Sequence, residues 1–143
     1  MGADGDARAV YAAEAAAIRD LPLRRFGRFS ELEAYVESVV VGDWWDETFP
    51  AAPVELELQR RSRNATWSAA CTTADEVGIM AIVDGHGWGL ETVLHELAHL
   101  AAGHEAAHGP AFRRALRLLW RHEAGVEAWS VLNAHLEATG ADS

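Results

Sequence analysis

The sequence predicts an α+β domain in which a small antiparallel sheet of about three strands packs with about five helices. Two observations predict this class. Apolar residues recur every three or four positions towards both ends of the chain, as amphipathic helices require. The middle of the chain instead holds short alternating or continuous apolar runs between turn residues, as strands require. The 143 residues can bury one core, so we expect a single domain spanning residues 1–143.

Two helices are predicted before the sheet. The first covers residues 7–20, an alanine-rich stretch with apolar side chains along one side. The second is expected to open with a capping box formed by Ser30 and Glu33. Trp44 and Trp45 would then lie in the loop that leads to the first strand.

Three strands are predicted in the middle of the chain. Residues 54–58 alternate strictly between apolar and acidic side chains, as in a half-exposed strand. Residues 65–72 are interpreted as the second strand, after a turn at residues 61–64. Residues 78–83 form the most apolar of the three. If this third strand lies at the sheet edge, an extended peptide could pair with it.

Three more helices are predicted after the sheet. The first follows the loop at residues 86–89, and its apolar residues keep helical spacing until Gly103. Gly109 and Pro110 indicate the start of the next helix, because proline suits a first helical turn, and Gly125 ends it. A last helix follows, with a short polar tail after Gly140.

The first helix after the sheet carries the most informative pattern, His95-Glu96-Leu97-Ala98-His99, which is an HExxH motif. Two histidines four residues apart stand one above the other on a helix, so both imidazoles can bind one metal ion. Glu96 lies about 100° around the helix from His95, where its carboxylate can reach a metal-bound water. The alternative is that both are unligated helix histidines, but they border the apolar stripe at the edge of a core.

A third metal ligand is expected, because catalytic zinc usually takes three protein ligands and leaves one position to water. His108 is the first choice, since Gly103 breaks the helix and a new helix starts just after His108. His104 and Glu105 remain alternatives. Glu105 stands where metzincins have their third histidine, although that signature also requires glycine in place of Ala102.

With one zinc ion per chain, these residues predict a hydrolase. The metal lowers the pKa of its bound water and polarises the substrate carbonyl, while Glu96 takes the proton and passes it to the leaving amine. Tyr11 and Tyr35 lie far upstream of the motif, so His104 or an arginine of the following helix is the expected oxyanion partner. His86 is interpreted as a plain loop histidine.

Composition argues against several other classes of protein. The net charge is −10 and all twelve basic residues are arginine, which disfavours nucleic acid as a partner. Cys71 is the only cysteine, which excludes an internal disulfide and a cysteine-based zinc site. No apolar run reaches membrane-spanning length, and residues 1–6 lack the basic and apolar regions of a signal peptide. We therefore expect a cytoplasmic protein without a membrane partner.

These motifs give the chain a family resemblance. It resembles the small actinobacterial and phage proteins that are classed as metallohydrolases with zincin-like folds, over nearly its whole length. The pairing of HExxH with a later His-Gly-Pro-x-Phe, residues 108–112, is also similar to the SprT-like proteases. This similarity implies His95, His99 and His108 as metal ligands and Glu96 as the catalytic carboxylate. Weaker parts of the resemblance are Tyr11 to Glu14, the Trp44-Trp45 region, the alternating strand at 54–58 and Trp88.

The leading interpretation is a zinc-dependent peptidase that acts on a protein or peptide. SprT-like proteases often carry a basic or cysteine-rich nucleic-acid module, for which this chain has no residues left. Two alternatives remain open: a zinc-stabilised binding or assembly module without turnover, and a hydrolase of a small amide. The presence of Glu96 favours an enzyme, because a purely structural zinc site needs no such carboxylate.

Overall fold

Six α-helices and one three-stranded sheet form the fold in the computed structural model, which describes residues 4–140. Residues 1–3 and the polar tail predicted after Gly140 lie outside this range. The helices and strands before the site are α1 (Asp4–Asp20), α2 (Phe29–Val40), α3 (Asp43–Thr48), β1 (Glu55–Arg61), β2 (Ala69–Thr72) and β3 (Val77–Val83). Those that follow are α4 (Leu90–Ala102), α5 (Pro110–Leu119) and α6 (Val126–Ala138). The predicted α+β class is confirmed, with one helix more than expected.

The additional helix is α3, which contains the two tryptophans that were expected in a loop. Asp43 lies in its first turn, where a negative charge favours helix formation. Trp45 is fully buried, and its indole N–H donates to the carbonyl oxygen of Pro53 at 3.1 Å. Burial of one large ring therefore stabilises a helix of only six residues, which is too short for its hydrophobic period to be recognised.

The capping box predicted for α2 is wrong. The helix begins at Phe29, one residue before Ser30, and its N-cap residue makes no side-chain capping hydrogen bond. Glu31 is the acid that acts at this end, because its carboxylate accepts a hydrogen bond from the backbone N–H of Gly27 at 3.1 Å.

The sheet is mixed, so the antiparallel sheet predicted from the sequence is wrong. The strand order is β1-β3-β2, in which β1 pairs with β3 in parallel and β2 pairs with β3 antiparallel. Residues 62–68, expected to contain a turn between neighbouring strands and the start of β2, instead carry the chain across to the opposite edge. The continuous apolar pattern of β3 is that of a central strand, with Met80 and Ile82 fully buried. An edge position was the condition for a peptide to pair with β3, and this condition is not met.

Helix α4 runs through the middle of the hydrophobic core. Leu94, Leu97 and Ala98 are fully buried there. Helix α1 packs along α6, and its Glu14 reaches His95 of α4. The two histidines of the motif are thus held by a buried helix. Within residues 4–140, no helix combines the length and the apolar character needed to cross a bilayer.

Candidate metal centre

Two histidines of α4 and a third from the segment before α5 converge on one side of α4. His95, His99 and His108 each offer a ring nitrogen, and these atoms all lie within 4.8 Å of one another. His95 is buried and the other two are half-buried. His104 and Glu105, the alternatives for the third position, are exposed on a short 3-10 turn. The structure thus brings together the three histidines that were the first choice.

The spacing of two ring nitrogens suits a shared metal ion. His95 Nε2 and His108 Nε2 are 3.2 Å apart. Two nitrogens bound at 2.0–2.1 Å to one tetrahedral ion would be separated by about 3.3 Å. His95 and His108 therefore already have the spacing of two ligands of one metal ion.

His108 reaches the site from an irregular segment between α4 and α5. Ala107, which precedes it, has φ 45, a left-handed conformation that is unfavourable for a residue with a Cβ. The guanidinium of Arg113 donates to the carbonyl oxygen of His108 at 3.0 Å, and Pro110 starts α5 directly afterwards. Unfavourable backbone geometry next to a candidate ligand is common at functional sites, where the surrounding contacts enforce it.

Phe112 lies against all three imidazoles. Its ring centroid is 4.9 Å from those of His95 and His108 and 4.4 Å from that of His99. The side chain is fully buried, so it gives the three rings a common apolar support that restricts their rotation.

Glu14 of α1 orients the first histidine. Nδ1 of His95 donates to the two carboxylate oxygens at 2.8 and 3.0 Å, which leaves Nε2 facing the other histidines. A carboxylate on the far nitrogen is the usual partner of a metal-binding histidine, because it fixes the tautomer and the ring orientation. This role of Glu14 was not predicted from the sequence. The available signal was an acid on the apolar side of α1, one turn from Val10 and beside Ala13.

Glu96 is buried, and one of its two carboxylate oxygens lacks a hydrogen bond within the described residues. Its residue is 3% exposed, and Oε1 has no hydrogen-bond partner among the residues that the structure describes. Burial, opposed by His95 and reinforced by the charge of Glu14, raises the pKa of Glu96 to about 7. A group with this pKa can both accept and release a proton near neutrality.

The electrostatics of the histidines also favour metal binding. Burial and the neighbouring histidines lower the pKa of His99 to about 3, so its ring is neutral and available as a ligand at physiological pH. Burial alone would lower the pKa of His95, but the carboxylates of Glu14 and Glu96 outweigh it and raise the pKa. A raised pKa makes a proton a stronger competitor with a metal ion for His95 Nε2, while Nδ1 stays hydrogen-bonded to Glu14.

Tyr11 lies at the site although it is distant in sequence. Its ring stacks on that of His95 with centroids 4.8 Å apart, and it is 5.5 Å from the ring of His108. Burial, then the charges of Glu96 and Glu14, raise its pKa to about 12. The phenol therefore stays protonated and can donate a hydrogen bond. Its distance along the sequence therefore does not keep Tyr11 away from the site.

Comparisons with protein-family models, with curated proteins and with solved structures find no match for this chain. The resemblance to metallohydrolases and SprT-like proteases therefore stays a prediction from the motifs. A function for the protein has to be argued from the geometry of the site.

Proposed function

We propose that the protein is a zinc-dependent hydrolase that cleaves peptide bonds. One observation carries this proposal: the buried carboxylate of Glu96, with an unpartnered oxygen, lies next to three converging histidines. A buried polar atom without a partner is costly and calls for an explanation. A substrate or water that Glu96 serves during catalysis provides one.

Zinc is the metal that this donor set suits best. Three imidazole nitrogens and an open fourth position are typical of catalytic zinc sites. When bound, the ion would polarise a carbonyl and make water a better nucleophile near neutral pH. His95, His99 and His108 would hold it, one ion per chain.

The side chains around the metal have separate roles. Glu96 accepts the proton of the attacking water and returns it to the leaving amine. Glu14 is a positioning residue that acts through His95. Tyr11 donates a hydrogen bond to the substrate oxygen that becomes negatively charged in the transition state. This third role replaces the earlier expectation of His104 or an arginine.

A peptide is the substrate class that the surroundings favour. β2 is an edge strand whose outer side has no strand partner within residues 4–140, and it packs against α4, which carries the candidate site. An extended peptide can add to such an edge through backbone hydrogen bonds. This arrangement also supports the proposal that the chain is related to the zincin-like metallohydrolases.

The proposal is tested by measuring hydrolysis and metal content together. The zinc-loaded protein should cleave an unfolded protein substrate, and a chelator should abolish the cleavage. Glu96→Gln should retain one zinc ion per chain but lose activity by about 100-fold to 10,000-fold. Glu105→Gln, which changes an exposed acid on the nearby 3-10 turn, is the matched control and should keep both.

Two outcomes would overturn this function. Undiminished cleavage by zinc-loaded Glu96→Gln would remove the role of the carboxylate. A protein that binds zinc tightly but cleaves neither unfolded proteins nor peptides would instead be a metal-stabilised binding module.

A further inference from the structure

A cavity of about 260 Å³ opens beside the candidate catalytic centre. His95 and Glu96 are among its lining residues, so a molecule in the cavity is next to these two side chains. The volume is slightly below the roughly 300 Å³ at which pockets for drug-sized ligands begin. It therefore suits one large side chain better than a complete drug-sized molecule.

One wall of the cavity is a single face of α1. Tyr11, Ala15 and Ile18 are spaced four and three residues apart, which places them on the same side of a helix, and all three line the cavity. None of them carries a charge. This wall offers a continuous surface for an apolar group.

Trp67 adds a second aromatic ring to the cavity lining, next to Tyr11. Its ring lies 5.9 Å from that of Tyr11 and its side chain is 61% exposed, an unusual position for so large an apolar group. The carbonyl oxygen of Trp67 accepts a hydrogen bond from the guanidinium of Arg61 at 2.7 Å, so the backbone beneath the ring is anchored. An exposed but anchored aromatic ring next to a reactive centre is typical of a substrate contact.

The remaining lining determines which side chains would be rejected. Glu14, Glu91 and Glu96 contribute three carboxylates, and no arginine lines the cavity among the described residues. An acidic side chain would meet more like charges than basic groups here, since among the described lining residues only the imidazoles of His86 and His95 oppose the three carboxylates. Thr66 and Thr92 also line the cavity, and neither carries a charge.

We propose that this cavity binds an aromatic or large aliphatic side chain of the peptide residue next to the cleaved bond. The proposal rests on the proposed function, since it assumes a peptide whose reacting carbonyl lies at Glu96. Tyr11 and Trp67 together form the aromatic surface that the side chain contacts, and Ile18 extends this surface along α1. The enzyme thereby selects against peptides with a small or acidic residue at this position.

Binding of peptide hydroxamates tests the cavity without depending on turnover. Two matched pairs compare a benzyl with a methyl side chain, one pair on each side of the metal-chelating group, on zinc-loaded protein. The cavity lies on only one side of the metal site, so only one of the two pairs places its side chain in the cavity. In that pair the benzyl compound should bind at least about tenfold more tightly than the methyl compound. An analogous compound with a carboxymethyl side chain should bind more weakly than the methyl compound.

A cavity-filling variant locates the effect. Ala15→Phe places a ring inside the cavity and should bring the benzyl-to-methyl ratio of dissociation constants close to one, while the methyl compound binds as before. Ala12→Phe is the matched control, because Ala12 is exposed on α1 and does not line the cavity. It should leave the ratio unchanged.

The outcomes separate the two proposals. Equal affinity for benzyl and methyl compounds in both pairs would overturn the cavity assignment and leave the hydrolase proposal standing. A benzyl preference that survives Ala15→Phe would also overturn it, since another surface would then be responsible. Failure of every hydroxamate to bind the zinc-loaded protein would count against an open metal site, and would overturn both proposals.

Discussion

Glu14 and Glu96 are two buried acids that line the same cavity, yet only one has its hydrogen-bonding capacity met. Glu14 is 6% exposed and both of its oxygens accept from His95, whereas Glu96 is 3% exposed and has one unpartnered oxygen. Equal burial therefore does not imply an equal role. The satisfied acid orients His95, whereas the unsatisfied one keeps a buried oxygen available to a further partner.

The largest difference between Glu14 and Glu96 is expected in how each affects the stability of the metal-free protein. Because burial raises the pKa of Glu96 from its ordinary 4.5 to about 7, the folded state binds its proton more tightly than the unfolded state does. Its contribution to stability is therefore complete below about pH 4.5 and is lost as the pH rises to about 7. Glu96→Gln should match the wild type at low pH and exceed it in free energy of unfolding by about 3 kcal/mol above pH 7.

Urea unfolding with a chelator present, repeated from pH 4.5 to pH 8, measures this difference. Glu14→Gln is the comparison variant and should be less stable than the wild type throughout, because His95 loses a charged partner. If both variants became more stable than the wild type as the pH rises, the proposed difference between Glu14 and Glu96 would be contradicted.

A second prediction concerns the side of the site that faces the substrate. Tyr11→Phe should keep its stack on His95 and its zinc, but lower kcat by about 100-fold, because one donor to the transition state is lost. Tyr35→Phe is the control, since the Tyr35 hydroxyl donates to Glu123, which does not line the cavity. If Tyr11→Phe kept the wild-type kcat, the hydroxyl would have no role in the reaction and Tyr11 would contribute only through packing.

The smallest effect is expected for the acid that holds His95. Glu14→Gln should weaken zinc binding by about tenfold, because a neutral amide is a poorer acceptor and makes His95 less basic. Asp20→Asn is the matched control: Asp20 also lies on α1 and also binds a histidine, His135, at 2.6 Å, but outside the site. Competition with a chromophoric chelator measures both. An equal loss in the two variants would point to a general effect of charge.

Local signals in the sequence predicted one half of the site. His95 and His99 follow from helical periodicity, and His108 follows from a helix break at Gly103 and a restart at Pro110. Each of these inferences needs only residues that are close in sequence. The α+β class was predictable for the same reason, since it depends on the period of short segments.

The other half of the site depends on contacts between distant residues. Glu14 and His95 are 81 positions apart, and nothing in the pattern of α1 specifies which helix it meets. Likewise, an alternating strand such as β1 has the same pattern whether its neighbour is parallel or antiparallel. Only an acid on an apolar helix face indicated that α1 had a buried polar partner.

Zinc affinity across a pair of histidine variants tests the central claim most directly. Zinc is titrated against a competing chelator for the wild type, His108→Ala and His104→Ala, which remove neighbouring histidines from the same segment. We expect the wild type to bind one zinc ion per chain and His104→Ala to bind zinc with nearly wild-type affinity. His108→Ala should lose more than the tenfold to hundredfold in affinity that is typical when only a hydrogen-bond partner of a ligand is removed. Equal affinity in His108→Ala and the wild type would contradict a three-histidine metal centre.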